Sequence, residues 1–168
     1  MIALEEFENF IHSQLPYEQK IISVIDNLGR QISLNSLSQL YDYFNCTIKL
    51  EQMEKYSPLI FNHCRSLSSQ YQHNGPITCH LFRSFKNSRS FALHTDPDDV
   101  IIECVFGKKK IILNGNEKIL YSGESLFIPA NTPHEAVNDD ESLTLSFGLE
   151  KFYIEKINYE LDVLSKNY

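Results

Sequence analysis

Residues 91–113, FALHTDPDDVIIECVFGKKKIIL, and residues 123–138, GESLFIPANTPHEAVN, decide the interpretation of the whole chain. The first stretch carries His94 and Asp96, which are separated by one residue, and the second carries His134. Two imidazoles and one carboxylate make up the ligand set of a facial triad, which holds iron(II) and leaves coordination positions open. The interpretation depends on whether these three side chains converge.

The spacing of His94 and Asp96 favours two ligands on a single strand. If residues 91–96 form a strand, the alternation of side chains places both on one face. Pro97 then ends that strand, because proline cannot donate a hydrogen bond to a ladder. The third ligand, His134, has to come from a strand distant in sequence.

The segment that leads to His134 carries a recognisable pattern. Asn131 lies where a tight turn requires a positive φ, which asparagine tolerates better than most residues. The spacing of Gly123, Pro129, Asn131, His134 and Asn138 resembles the second motif of the cupin superfamily. The departure is Asn131, where that motif has glycine.

The first stretch resembles one branch of that superfamily. The usual first cupin motif supplies two histidines and a glutamate, whereas this chain has His94-Thr95-Asp96 and no matching glutamate. Together with Asp99-Val100 and the residues 107–110, this pattern resembles the JmjC-like and ribosomal-oxygenase-like 2-oxoglutarate oxygenases. Ile111 replaces the tryptophan of their pattern. The resemblance covers residues 76–149.

The resemblance implies an Fe(II)- and 2-oxoglutarate-dependent oxygenase of the hydroxylase type. It implies that His94, Asp96 and His134 are both the metal ligands and the catalytic residues. The cofactors implied are Fe(2+), 2-oxoglutarate as cosubstrate and O2, and the protein contributes positioning and exclusion of water. The substrate is an unidentified protein, peptide or small molecule, and the outcome is either hydroxylation or demethylation.

Two further interpretations remain open. One is a non-oxygenase cupin, either a module that binds a metal or a small molecule, or an isomerase or lyase that uses the same ligands. The other is a cupin dioxygenase that does not need 2-oxoglutarate. A degenerate cupin that keeps the shape without the metal is the structural alternative to the triad.

The lysines at 108–110 divide between the two faces of their predicted strand. Lys109 shares a face with Ile111 and Leu113, and Lys108 and Lys110 lie on the other face. A lysine on an apolar face costs free energy unless it has a counter-charge. In the family, the cation at this place pairs with the distal carboxylate of 2-oxoglutarate, and Lys109 matches it. The alternative is that Lys109 extends to the barrel mouth and binds nothing.

Three more polar residues are candidates for the site. Thr144 and Ser146 alternate with Leu143 and Leu145, so they line the cavity if the leucines pack outward under helices. They would then hydrogen-bond a cosubstrate carboxylate or a metal-bound water. The alternative is an edge strand whose polar face lies in solvent. His80 is the one spare histidine that a strand could point into the barrel.

Composition limits the class of protein. The chain has 168 residues, with 42% hydrophobic and 22% charged residues, which fits one domain with a sizeable core. The formal charge of −7 argues against nucleic acid as a partner. No stretch approaches the length of a membrane helix, and the acidic N-terminus has no signal pattern. The four cysteines lack CxxC spacing, so we expect a reduced, cytoplasmic protein.

The chain divides into three regions of a single structural domain. Residues 1–75 are predicted to be a mainly helical N-terminal region that packs on the barrel. Residues 76–149 contain short strands with turn signals such as Asn114-Gly115, which is typical of a jelly roll. Residues 150–168 are predicted to form a C-terminal helix, whose apolar stripe buries on the barrel or in a homodimer. The predicted class is therefore mainly β, a cupin-type double-stranded β-helix with N-terminal helices and a C-terminal helix.

Overall fold

The structure is a computed structural model, and it describes residues 4–151. Its helices are α1 (Leu4–Ile11), α2 (Leu15–Glu18), α3 (Leu37–Tyr41), a short 3-10 helix (Met53–Lys55) and α4 (Pro58–Gln70). Its strands are β1 (Ile22–Ile25), β2 (Gln31–Ser33), β3 (Thr47–Leu50), β4 (Ile77–Ser84), β5 (Asp99–Leu113), β6 (Asn116–Tyr121), β7 (Ser125–Ile128), β8 (His134–Val137) and β9 (Ser142–Leu149). The predicted mainly β jelly-roll class is confirmed.

The long strand β5 joins two antiparallel sheets. Its first half pairs with β9 and β7, and its second half pairs with β6 and β8. The change of partners follows an irregularity between Cys104 and Phe106, beside Gly107. Gly107 has a φ of +75°, and a Cβ there would lie 2.0 Å from the backbone oxygen of Glu141. Only glycine fits this close approach of two backbones.

The first sheet continues from β5 through β9, β4, β3 and β1 to β2. Alternation along β4 and β9 separates an apolar face from a polar face. Residues such as Leu81, Leu145 and Phe147 face the larger core cluster, which also contains Phe7 and Ile60 from the helices. The opposite face of the same two strands closes one side of a cavity inside the barrel.

A smaller core cluster lies within the barrel. It consists of Val100, Cys104, Ile111, Leu120 and Ile128. All four cysteines of the chain are buried free thiols. In the described part of the chain, no helix combines the length and apolar character needed to cross a bilayer.

The prediction that residues 1–75 are mainly helical is wrong for three segments. Ile22–Ile25, Gln31–Ser33 and Thr47–Leu50 are strands that extend the first sheet. Every residue of β1 is buried, so the segment lacks the alternation that identifies a half-buried strand. A short apolar run of this kind cannot be distinguished from a buried helix by periodicity. Gly29, at a φ of +77°, belongs to the β1–β2 turn.

Two strand predictions also need correction. Residues 91–96 do not form a strand; within them only His94 makes an isolated bridge. The strand that carries the lysines at 108–110 is not a separate short strand, because it is the second half of the continuous strand β5. The predicted Asn114-Gly115 hairpin is confirmed, with φ values of 50° and 75°. The predicted C-terminal helix, and the homodimer through it, lie outside the described residues apart from positions 150 and 151.

Candidate metal centre

The structure brings His94, Asp96 and His134 together. One ligand atom from each residue lies within 4.8 Å of the other two. The cause is a pair of backbone hydrogen bonds, from His94 N to His134 O at 3.0 Å and from His134 N to His94 O at 2.9 Å. The two imidazoles lie side by side because this bridge holds their backbones in register, although residues 91–96 do not form the expected strand.

Both imidazoles are oriented by their own backbone. Nδ1 of His94 lies 2.8 Å from the carbonyl oxygen of Ala92, and Nδ1 of His134 lies 2.9 Å from that of Thr132. A carbonyl only accepts, so each Nδ1 carries the proton and donates it. In the neutral imidazole this tautomer places the lone pair on Nε2, and a hydrogen bond of this kind orients ligating histidines in metal proteins.

The turn before His134 is tied to the other ligand. Asn131 has a φ of 59°, as predicted, and its N–H donates to the backbone oxygen of Asp96 at 2.7 Å. The N–H of Ala130 donates to Oδ1 of Asp99 at 2.8 Å. Asp99 is the first residue of β5, and its side chain fixes this turn.

Charge at the three residues favours a cation. Nε2 of His134 lies 3.4 Å from Oδ2 of Asp96. The His134 imidazole holds the pKa of the Asp96 carboxyl below its usual value. The same contact with Asp96 raises the pKa of His134. The carboxylate is therefore ionised at neutral pH, and a metal ion there competes with a proton on His134.

Lys109 occupies the other end of the same cavity and is only 3% exposed. Its Nζ donates to Oγ of Ser84 at 3.0 Å and to Oδ1 of Asn138 at 2.5 Å. Burial lowers the pKa of Lys109 to about 8. Within residues 4–151 it forms no ion pair, whereas Lys108 pairs with Asp140. The alternative that Lys109 reaches solvent at the barrel mouth is excluded by its burial.

Neutral groups hold the Asn138 side chain that receives Lys109. Nδ2 of Asn138 donates to Oγ1 of Thr47 at 3.1 Å and to the backbone oxygen of Ser88 at 3.0 Å. Oγ1 of Thr47 donates to the backbone oxygen of Arg89 at 2.7 Å. The amide is therefore fixed with its oxygen towards Lys109, and the network contributes no negative charge.

The cavity has a volume of about 230 Å³ and contains the other predicted residues. Thr144, Ser146 and His80 all line it. Because β9 lies between β4 and β5, it is a central strand, and the alternative of an edge strand with a solvent-facing polar side does not hold. The binding roles of Thr144, Ser146 and His80 stay predictions, as do those of the three metal ligands and Lys109.

Sequence reasoning missed the side of the cavity that β3 contributes. Lys49 lines the cavity together with Phe82 and Phe91. It was overlooked because residues 1–75 were predicted to be helical, so no face was assigned to the sequence TIKL. The available signal was that, in a strand, Ile48 and Leu50 share one face and leave Lys49 on the opposite face.

Comparisons with known proteins give the following. No family model matches the chain, and no curated protein matches it. The similar solved structures include a cupin 2 conserved barrel domain protein from Leptotrichia buccalis, with 26% identity over 44% of this chain and 36% of that protein, at a TM-score of 0.41. They also include an RmlC-like cupin from Shewanella frigidimarina, with 20% identity over 45% of this chain and 68% of that protein, at a TM-score of 0.41. A third is a salicylate 1,2-dioxygenase from Pseudaminobacter salicylatoxidans, with 15% identity over 43% of this chain and 20% of that protein, at a TM-score of 0.40.

Proposed function

We propose that this chain is an Fe(II)- and 2-oxoglutarate-dependent oxygenase of the hydroxylase type. His94, Asp96 and His134 hold the iron, and Lys109 binds the distal carboxylate of 2-oxoglutarate. The substrate is a protein, a peptide or a small molecule.

The chemistry of the donor set fits this metal. Two neutral imidazoles and one carboxylate with open positions are the ligands of non-haem Fe(II) oxygenases. Both Nε2 atoms are available, since Nδ1 of each histidine is hydrogen-bonded to a carbonyl. Iron(II) bound there supplies the coupling of O2 reduction to the oxidative decarboxylation of 2-oxoglutarate and the oxidation of a substrate C–H bond.

The burial of Lys109 without a counter-charge from residues 4–151 is the observation that carries the proposal. A buried ammonium group is costly unless an anion pairs with it. Its Nζ has three N–H groups, and two of them reach the neutral oxygens of Ser84 and Asn138. The remaining donor and the charge are available to a ligand carboxylate in the cavity.

The register along β8 separates the two binding ends. Leu113 lies opposite His134, and Lys110 lies opposite Val137, so Lys109 is level with Asn138. His134 and Asn138 are four residues apart, which is about 13 Å of strand. A short dicarboxylate fits between the metal ligands at one end and the ammonium group of Lys109, which extends inwards from the other end.

The remaining walls suit the middle of such a molecule. Thr144 and Ser146 line the same cavity, and their hydroxyl groups can donate to a carboxylate or keto oxygen. Val100, Ile102 and Ile111 contribute apolar surface to the same cavity. Apolar walls keep water away from the reacting atoms and strengthen the electrostatic contacts inside.

The experiment is an anaerobic titration of the protein with Fe(II) and then with 2-oxoglutarate. Chelation of the iron by 2-oxoglutarate produces a weak visible charge-transfer band, and slow substrate-free formation of succinate in air is a second sign. In the Lys109→Met variant, we expect the 2-oxoglutarate concentration that gives half of the maximal band intensity to rise at least about tenfold, because a charge-assisted contact is lost. Lys110→Met is the matched control, since Lys110 is the neighbouring lysine on the outer face and pairs with Glu117.

The outcome separates the proposal from its rivals. Iron binding without a band identifies a cupin that does not use 2-oxoglutarate, whether a dioxygenase, an isomerase, a lyase or a binding module. Equal 2-oxoglutarate requirements in the Lys109→Met and Lys110→Met variants would remove Lys109 from the site.

A further inference from the structure

One side of the cavity has no role in the binding of metal and cosubstrate. We call it the lateral subsite and define it by the residues Lys49, His80, Phe82 and Phe91. Lys49 on β3 lies opposite Phe82 on β4, and Phe82 lies opposite Thr144 on β9. Two strand spacings therefore separate Lys49 from Thr144, a distance of about 10 Å between backbones. A second molecule can occupy this side while 2-oxoglutarate lies along β9.

Lys49 brings a second buried cation to the cavity. Its Nζ lies 2.6 Å from Oε1 of Glu51, which is the partner that balances its charge. The ammonium group lies 5.6 Å from the ring centroid of Phe91, at the cavity wall. An ammonium group has three donors, and Glu51 receives one of them. A ligand anion can therefore join Lys49 without first removing Glu51.

His80 adds a polar atom to which the described part of the chain offers no hydrogen-bond partner. Its Nδ1 is buried, and within residues 4–151 no group forms a hydrogen bond with it. His80 lies on the cavity face of β4, opposite Ser146 and one strand away from Lys49. Buried polar atoms in proteins almost always have a hydrogen-bond partner, so an unpaired nitrogen at a cavity wall indicates a place for a polar ligand atom.

The shape of the lateral subsite limits the ligand. The rings of Phe82 and Phe91 stand nearly perpendicular, at 88°, with centroids 6.3 Å apart, and provide flat apolar surface. The whole cavity measures about 230 Å³. Pockets that hold drug-sized ligands measure about 300–1,000 Å³. A cavity below that range that also takes 2-oxoglutarate has room only for a small second molecule.

We propose that the substrate is a small monocarboxylic acid with a flat apolar body. Its carboxylate binds Lys49 and His80, and its body packs against Phe82 and Phe91. The role of this acid as substrate rests on the proposed oxygenase function, whereas its binding at the lateral subsite does not. Among the substrate classes left open by the sequence, the lateral subsite thus selects the small molecule.

The test uses benzoate as probe, with benzamide as its neutral isostere. The host is the metal-free Lys109→Met protein, so that neither iron nor the cosubstrate cation contributes, and affinities are measured by isothermal titration calorimetry. We expect benzoate to bind about 10- to 100-fold more tightly than benzamide, since a charged hydrogen bond is worth that ratio. Adding Lys49→Met removes the preference, and adding His80→Phe weakens benzoate binding about tenfold.

A further variant separates recognition from a structural role. Glu51→Gln keeps the size of the side chain and removes the competing carboxylate, so we expect it to tighten benzoate binding several-fold. It also keeps the proposal testable if the Lys49→Met protein does not fold, because a structural role for the Lys49–Glu51 pair does not produce tighter binding.

Three results contradict the lateral subsite. They are equal affinities for benzoate and benzamide, a benzoate preference that survives Lys49→Met, and weaker benzoate binding in Glu51→Gln. These results leave the proposed oxygenase function intact, because the titration with Fe(II) and 2-oxoglutarate does not involve Lys49. Conversely, absence of the charge-transfer band with intact benzoate selectivity removes the oxygenase and keeps the subsite.

Discussion

The buried charge of Lys109 should make the free protein less stable at neutral pH than at alkaline pH. Burial lowers the pKa of Lys109 from 10.5 to about 8. Between these two values the unfolded chain binds a proton that the folded protein has released, so the unfolding free energy rises with pH. Below pH 8 both states are protonated, and the folded state carries the full cost of the buried charge.

The magnitude follows from the shift. A difference of one pKa unit corresponds to about 1.4 kcal/mol, so raising the pH from 7 to 10 stabilises the wild-type protein by about 2.5 kcal/mol through Lys109. In Lys109→Met this contribution is absent. All other titrating groups are shared by the two proteins, and their contributions cancel when the two unfolding free energies are subtracted.

The assay is urea unfolding of both proteins, followed by circular dichroism at a series of pH values without ligand. The expected result is a difference, wild type minus Lys109→Met, that is flat below pH 7 and then increases by about 2.5 kcal/mol up to pH 10. A difference that stays constant over this range would show that Lys109 is not buried as a cation. When Mn(II) and 2-oxoglutarate are both present at saturating concentrations, the rise of this difference with pH should be suppressed, because a bound carboxylate restores a higher pKa to Lys109.

Three further outcomes follow from named contacts. His94→Ala should weaken Mn(II) binding, measured by calorimetry. Loss of a residue that only supports a metal ligand weakens metal binding about 10- to 100-fold, and we expect a larger loss here because a ligand itself is removed. His12→Ala, a change outside the site, should leave the Mn(II) affinity unchanged. Asn138→Asp places a carboxylate beside Nζ of Lys109, so the concentration of 2-oxoglutarate for half of the visible band should rise about tenfold or more; an unchanged value would argue against an anion site. Gly107→Ala should lower the unfolding free energy by at least about 2 kcal/mol more than Gly115→Ala, because both glycines have a φ of +75° but only the first meets a backbone oxygen; equal losses would refute the close approach.

Strand alternation explains what could be predicted from the sequence. It placed Lys109 on the inner face of β5 and Lys108 and Lys110 on the outer face, because neighbouring residues of a strand point to opposite sides. It also put Thr144 and Ser146 on one face of their strand, and the structure turns that face to the cavity. The positive φ of Asn131 followed from the turn residues before His134.

Tertiary contacts explain what could not be predicted. All four residues of β1 are buried, and Ile22 and Val24 belong to the larger core cluster that also contains helix residues, so the sequence of β1 shows no period of two. The partners of Lys109 come from β4 and from the end of β8, and Asn138 reaches Thr47, which is 91 residues distant in sequence. Pairings of this range leave no local signal.

Lys49 illustrates the same limit within the site. It faces the cavity only because β3 joins β4 in register, with Lys49 opposite Phe82. A helix at residues 47–50 would have pointed the side chain elsewhere. An error in the class of one short element therefore removed one wall of the cavity from the predicted site.

The most direct measurement is a crystal structure of the protein with Mn(II) and 2-oxoglutarate. The expected result is one ion bound by Nε2 of His94, a carboxylate oxygen of Asp96 and Nε2 of His134. It should also contain one molecule of 2-oxoglutarate that chelates the ion and pairs its far carboxylate with Nζ of Lys109. An ion held elsewhere, or a cosubstrate whose far carboxylate leaves Lys109 without an anion, would contradict the account.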